Sequence, residues 1–137
     1  MVNDSATFDD VTDRFIERLA EAQAAEMFAR YEYGRALHVV RYSNEVELGS
    51  RAVTRAAERL SVHPSLLRSM ARVAESISPA EFGELLSRRL RNALPPTWAH
   101  VTVLARARRG ARPMLTLAMI QDSLSVRELT AKARGAP

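Results

Sequence analysis

The chain contains no cysteine among its 137 residues. Disulfides, thiolate metal sites and cysteine nucleophiles are therefore excluded, and a reducing compartment suits it. Its five glycines are scattered, so there is no glycine-rich loop to cradle a phosphate. No apolar run approaches membrane-spanning length, and none follows a basic start as in an export signal. A soluble, cytoplasmic protein is the expectation. Alternating apolar and polar residues are missing as well, so nothing reads as a strand. Lysine occurs once among twenty basic residues and the other nineteen are arginine, a bias that a GC-rich genome produces by itself.

What remains is an ordinary globular composition, 47% hydrophobic and 26% charged, with enough length for one real core. The formal charge of +4 is unevenly spread. Residues 1–50 carry five arginines against ten acids, net −5, and residues 51–137 carry fifteen basic residues against six acids, net +9. A basic part of this kind is the electrostatic footprint of phosphate binding, or else a solvated surface balancing an acidic helix.

Helical periodicity runs through the chain and predicts an all-α fold. This is a compact multi-helix domain containing a helix-turn-helix, preceded by a long amphipathic N-terminal helix. Residues 1–6 read as a tail, 7–48 as the acidic helix and its break, 49–133 as the helical domain, and 134–137 as a fraying end. Thr7-Phe8-Asp9-Asp10 resembles a capping box at a helix start. Phe8, Val11, Phe15, Leu19 and Ala22 form one apolar stripe that Ala29, Tyr33, Leu37 and Val40 continue, with Ile16 and Met27 at its edge. Either this is a single core helix, or part of it packs on another molecule. Phe8, Val11, Phe15, Leu19 and Met27 are the candidate dimer or partner interface. Arg41 to Gly49 reads as a break, with turn-formers at Tyr42-Ser43-Asn44.

Residues 56–73 have the layout of a helix-turn-helix. Ala57 is small where two helices meet, Leu60 closes the first helix, Ser61 and Val62 turn the chain with Val62 as a plug, and Pro64 opens the second helix. Leu67 and Met70 face inward. Ser65, Arg68, Ser69 and Arg72 face outward, as short polar and long cationic groups do on a helix in a DNA major groove. Ser61 stands where glycine is usual. Helical corners without DNA use the same spacing, so a purely structural corner stays open.

Downstream, Ser78-Pro79-Ala80-Glu81 is a capped start, with Phe82, Leu85, Leu86 and Leu90 inward and Pro95-Pro96 as the stop. Thr97 or Pro96 opens a helix carrying Trp98, Val101 and Leu104, which Gly110 stops. Another helix spans Arg112 or Pro113 to about Asp122 with Met114, Leu117 and Ile120 inward. Ser125-Val126-Arg127-Glu128 caps the last one. Arg106, Arg108, Arg109 and Arg112 flank Gly110, as a phosphate grip or as a solvated helix end. The first three join the candidate DNA-binding set with His63, Ser65, Arg68, Ser69 and Arg72.

Residues 56–132 resemble the helical DNA-binding domain of the ParB/KorB partition proteins. The matching pieces are 57–65, then Leu94-Pro95-Pro96-Thr97-Trp98-Ala99-His100, then Leu124-Ser125-Val126-Arg127-Glu128-Leu129. The last two are also similar to the helical N-terminal domain of YhcG-type nucleases. The resemblance implies double-stranded DNA binding. An acidic helix stands where the family has its nucleotide-binding domain, and the C-terminal dimerisation domain and the nuclease domain have no counterpart, so neither a CTP-driven clamp nor cleavage is implied.

No catalytic constellation stands out. His38, His63 and His100 are far apart, and Asp9, Asp10 and Asp13 read as a solvated helix start, so no metal or cofactor is expected. His63 reads as a cap or a backbone contact, His100 and Trp98 as core. The expectation is a non-enzymatic DNA-binding protein of the nucleoid, a transcriptional regulator or a partition-type factor. The alternative is an interaction adaptor whose helix-turn-helix is only structural. In either case a homodimer or protein complex through the N-terminal helix is expected.

Overall fold

A computed structural model describes residues 4–41 and 46–135. Among these the fold is all-helical. The α-helices are α1 (Asp4–Arg41), α2 (Val46–Leu60), α3 (Pro64–Ser76), α4 (Pro79–Ser87), α5 (Trp98–Arg106), α6 (Arg112–Asp122) and α7 (Val126–Gly135), with a 3-10 turn at Arg109–Ala111. No helix among the described residues is long and apolar enough to cross a membrane.

α1 is 38 residues long, about 57 Å at 1.5 Å per residue. It begins at Asp4, so Thr7 lies inside the helix and does not cap its start. Its C-terminal half is built into the domain, lying against α3 and α2. Ala20, Met27, Tyr31 and Leu37 are buried, and Tyr31 stacks on Phe82 with ring centroids 4.2 Å apart. The inward face here is therefore Met27–Tyr31–Gly34, not the Ala29–Tyr33 line expected from the stripe, and Tyr33 is exposed. One core runs across residue 48, since Met27 and Tyr31 share a cluster with Val73, Phe82, Leu104, Leu115 and Leu129. Burial pushes the Tyr31 phenol up from its ordinary value, with Glu81 adding and Arg35 opposing. The phenol keeps its proton and donates it to the Ile77 carbonyl.

The expected caps at Ser78, Thr97 and Ser125 are in place. Ser78 accepts from the Glu81 N–H at 3.1 Å. Thr97 and His100 form a capping box with histidine at its third position. Ser125 and Glu128 form another, with reciprocal bonds of 3.0 and 3.1 Å. Those bonds hold the Glu128 carboxyl below its ordinary value. His100 is buried, as expected, and its Nε2 lies 2.8 Å from the Leu124 carbonyl, tying α5 to the α6–α7 loop.

Several boundaries and faces differ from expectation. α2 begins at Val46, so Val46–Gly49 belongs to the first motif helix. Tyr42-Ser43-Asn44 lie outside the described residues. α4 ends at Ser87, well before Pro95, because its last carbonyls find other donors. Ser87 Oγ donates to Glu84 O, and the Arg89 guanidinium donates to Leu86 O. α5 ends at Arg106, before Gly110. On α6 the buried residues are Arg112, Leu115 and Met119. Met114 and Leu117, expected inward, are exposed.

Candidate nucleic-acid interface

The turn of the motif is built by backbone bonding. α2 ends in a Schellman arrangement, in which Val62 N–H reaches Ala57 O at 3.0 Å and Ser61 N–H reaches Glu58 O at 3.2 Å. This places Ser61 at φ 55, the left-handed region that favours glycine. A serine here carries the strain that the sequence hinted at. Val62, half-buried, packs against the cluster of Ala57, Leu67, Met70 and Ala71. A buried small residue and an apolar plug thus hold α2 and α3 at their corner.

His63 caps α3. Its Nδ1 accepts from the Ser65 N–H at 3.1 Å and lies 2.7 Å from Ser65 Oγ. That use of Nδ1 assigns the ring proton to Nε2, which remains a donor. Pro64 follows at the first helical position, where its missing N–H costs nothing.

On α3, Leu67, Met70, Ala71 and Val73 are buried. Ser65, Arg68 and Arg72 are exposed and Ser69 is half-buried. The expected inward and outward sets are therefore separated on the helix. Met70 faces α1 at Gly34. A Cβ built on Gly34 would overlap the Met70 carbonyl, lying 2.7 Å from its carbon. The two helices touch backbone to backbone there, so the Arg68–Arg72 side of α3 points away from α1.

The arginine segment after α5 is anchored at the end of α3. Ser76 Oγ donates to Ala105 O at 2.9 Å. Arg112 is only 4% exposed. Its guanidinium donates to Leu104 O, Ser76 O, Ser76 Oγ and Glu81 Oε1 at 2.8–3.1 Å. Arg112 is thus a staple joining α3, α4 and α5, and is withdrawn from any phosphate contact. The same staple sets Arg106, Arg108 and Arg109 beside the C-terminal end of α3. All three are exposed. Neither they nor Arg68 and Arg72 take part in an ion pair among the described residues. Arg106 and Arg108, with Arg134 from α7, rim a cleft of about 450 Å³ floored by Val103, Ala107 and Ala111, with no acid in its lining. Arg134 was not singled out in the sequence, and only the α5–α7 contact brings it in.

Trp98 is half-buried, edge-on to Phe82 at 6.1 Å and under the Arg30 guanidinium at 6.0 Å. It packs against the core, as expected for a lone tryptophan on a helical face. Among the described residues no group of three or more His, Asp or Glu side chains gathers in a way that could hold a metal.

The expected interface on α1 divides in two. Met27 is 5% exposed and lies in the domain's own core, which removes it from any intermolecular surface. Phe8, Val11 and Phe15 are 71%, 52% and 62% exposed, and Leu19 is half-buried. These large apolar groups are thus left in water on the part of α1 that precedes its packed half.

No protein-family model, curated protein or solved structure matches this chain.

Proposed function

We propose that the chain is a non-enzymatic, sequence-specific double-stranded DNA-binding protein that reads the major groove with α3. The observation that carries this reading is the outward face of α3. It presents Ser65, Arg68, Ser69 and Arg72, has no ion pair among the described residues to occupy its two arginines, and points away from the core. Arg106, Arg108 and Arg109 extend the cationic surface beside its C-terminal end, and the Nε2–H of His63 supplies a donor at its start. The resemblance of residues 56–132 to the ParB/KorB helical domain supports the same reading. Phosphate contacts position a protein on DNA and base contacts specify the sequence. The arginines at 106–109 take the first role and α3 the second. The setting is the nucleoid, as a regulator or a centromere-type factor.

The test is binding to duplex DNA across a salt series, after selection of a preferred site from random duplexes. Arg68→Ala is expected to cost about 1–3 kcal/mol on the selected site, through loss of a bidentate contact to guanine. Its melting temperature should match the parent's, because the side chain is exposed. Equal affinity of mutant and parent for the selected site would remove α3 from readout. Neutralising Arg106, Arg108 and Arg109 together is expected to weaken binding to every sequence alike. The slope of log K against log salt should flatten by up to about three units. An unchanged slope would make the cluster a solvated helix end.

A second reading rests on the exposure of Phe8, Val11 and Phe15. In it the chain is an adaptor that binds another protein through α1, and the motif is a structural corner. Absence of any salt-dependent DNA binding, together with an intact fold, would favour it.

A further inference from the structure

We propose that α1 pairs with α1 of a second copy, antiparallel and centred between Val11 and Thr12, giving a dimer whose two α3 helices read half-sites two helical turns apart. The pairing stands on the geometry of α1. The half-site spacing rests in addition on the DNA-binding reading above.

From Phe8 to Phe15 the exposed strip is nearly the same read in either direction. Phe8 precedes Val11 by three residues and Phe15 follows it by four. Thr12, Ile16 and Leu19 fill one edge, each half-buried, so the strip from Phe8 to Leu19 is uncharged. Reversed about the point between Val11 and Thr12, it sets Phe8 against Phe15 of the second copy and Val11 against Thr12. A surface that complements itself in this way is what a two-fold, isologous contact requires. Phe8 and Phe15 are 71% and 62% exposed, and at roughly 150–250 Å² for a whole aromatic side chain they leave roughly 200–330 Å² to bury, which Val11 and Leu19 raise to roughly 300–450 Å² per copy. Doubled, that is roughly 600–900 Å², below the ~1,200 Å² at which standard interfaces begin, so the pairing is of the weak, exchanging kind.

Direction follows from where the domain sits. At roughly 100° per residue, the strip lies roughly 100° around α1 from Met27, Tyr31 and Gly34, the residues that face the core. In an antiparallel pair the two-fold axis is perpendicular to the plane of the two helices, so both domains lie on the same side of the pair. In a parallel pair the axis runs along the helices and throws the domains to opposite sides. Only the antiparallel pair turns both Arg68–Arg72 faces towards one duplex. It also keeps apart two segments that each carry a net +9.

Spacing follows from helix geometry. Gly34 touches Met70, midway along α3. It stands 22–23 residues from the proposed centre, or about 34 Å along the axis. The two α3 midpoints are then about 68 Å apart, which is two turns of B-DNA, roughly 20–21 base pairs.

The absence of cysteine allows a direct test by cross-linking under mild oxidation, with light scattering to give the mass. Val11→Cys should link to itself. Phe8→Cys mixed with Phe15→Cys should give the mixed dimer, and Ala22→Cys should remain unlinked. Self-linking of Ala22→Cys would mean parallel pairing and would overturn the proposal, as would a parent that is monomeric at tens of micromolar. Paired copies of the selected half-site, spaced from one and a half to two and a half turns, then test the second part. Affinity should peak at 20–21 base pairs and fall by about a hundred-fold half a turn away, where the second half-site faces the wrong side. A flat or differently placed optimum overturns the spacing. If the cross-links form as expected and no duplex binds, the DNA reading fails while the pairing stands.

Discussion

Gly34→Ala is expected to lower stability by about 2–4 kcal/mol, in spite of alanine's better helix propensity. The new methyl would sit on the Met70 carbonyl, with 2.7 Å to its carbon and 3.3 Å to the Ala71 nitrogen. These are backbone atoms inside α3, so no side chain can swing aside. α1 and α3 must part, and that opens the packing of Tyr31, Leu37 and Leu67 at the same time. The gain of about 1 kcal/mol from replacing glycine within a helix opposes this and is smaller. Gly83 supplies the control. A Cβ there meets nothing within 4 Å, so Gly83→Ala should be neutral or stabilise by up to about 1 kcal/mol. Thermal melting followed by circular dichroism compares the two. A Gly34→Ala protein as stable as the parent would mean that the two backbones are not in contact, and α3 would lose its place on α1.

Arg112→Ala is expected to cost about 3–5 kcal/mol and to leave the protein close to unfolding. Removal of the guanidinium leaves Leu104 O and Ser76 O without their side-chain donor, and opens a cavity where three helices meet. Glu81→Ala should cost far less, about 1 kcal/mol or below. Its side chain is 38% exposed, and water can take over its share of the pairing. Denaturant unfolding of the two variants settles the order. If Arg112→Ala were the milder of the two, the staple would not be holding α3 to α5. Arg106, Arg108 and Arg109 would then have no fixed position beside α3, and the triple neutralisation would lose its rationale.

The local signals of this fold were open to reading because each depends on a few neighbouring residues. Ser78, Thr97 and Ser125 cap helices by bonding N–H groups three residues on, and that chemistry is written in four-residue words. The corner at Ser61–Val62 was legible for the same reason, down to the misfit of a serine where glycine is usual. The sorting of α3 into Leu67 and Met70 on one side and Ser65, Arg68 and Arg72 on the other followed from polarity at helical spacing.

Residue pattern was enough for the all-helical fold, the caps at Ser78, Thr97 and Ser125, the helix-turn-helix corner, the two faces of α3 and the charge asymmetry, while the Thr7 box at the head of α1 misled. Tertiary structure alone decided which of several adequate faces each helix would bury. From Leu19 to Val40, α1 has small or apolar side chains on most sides, so periodicity does not choose among them. The choice falls to Gly34, where only a missing Cβ lets the α3 backbone approach, and this draws Met27 inward and leaves Phe8, Val11 and Phe15 in water. On α6, Met114 and Leu117, three residues apart, compete with Leu115 and Met119, four apart, and both spacings suit a helical face. The second pair is buried because Arg112 is held by acceptors on three other elements. Two of these acceptors lie 31 and 36 residues away along the chain, and no local pattern could place them together.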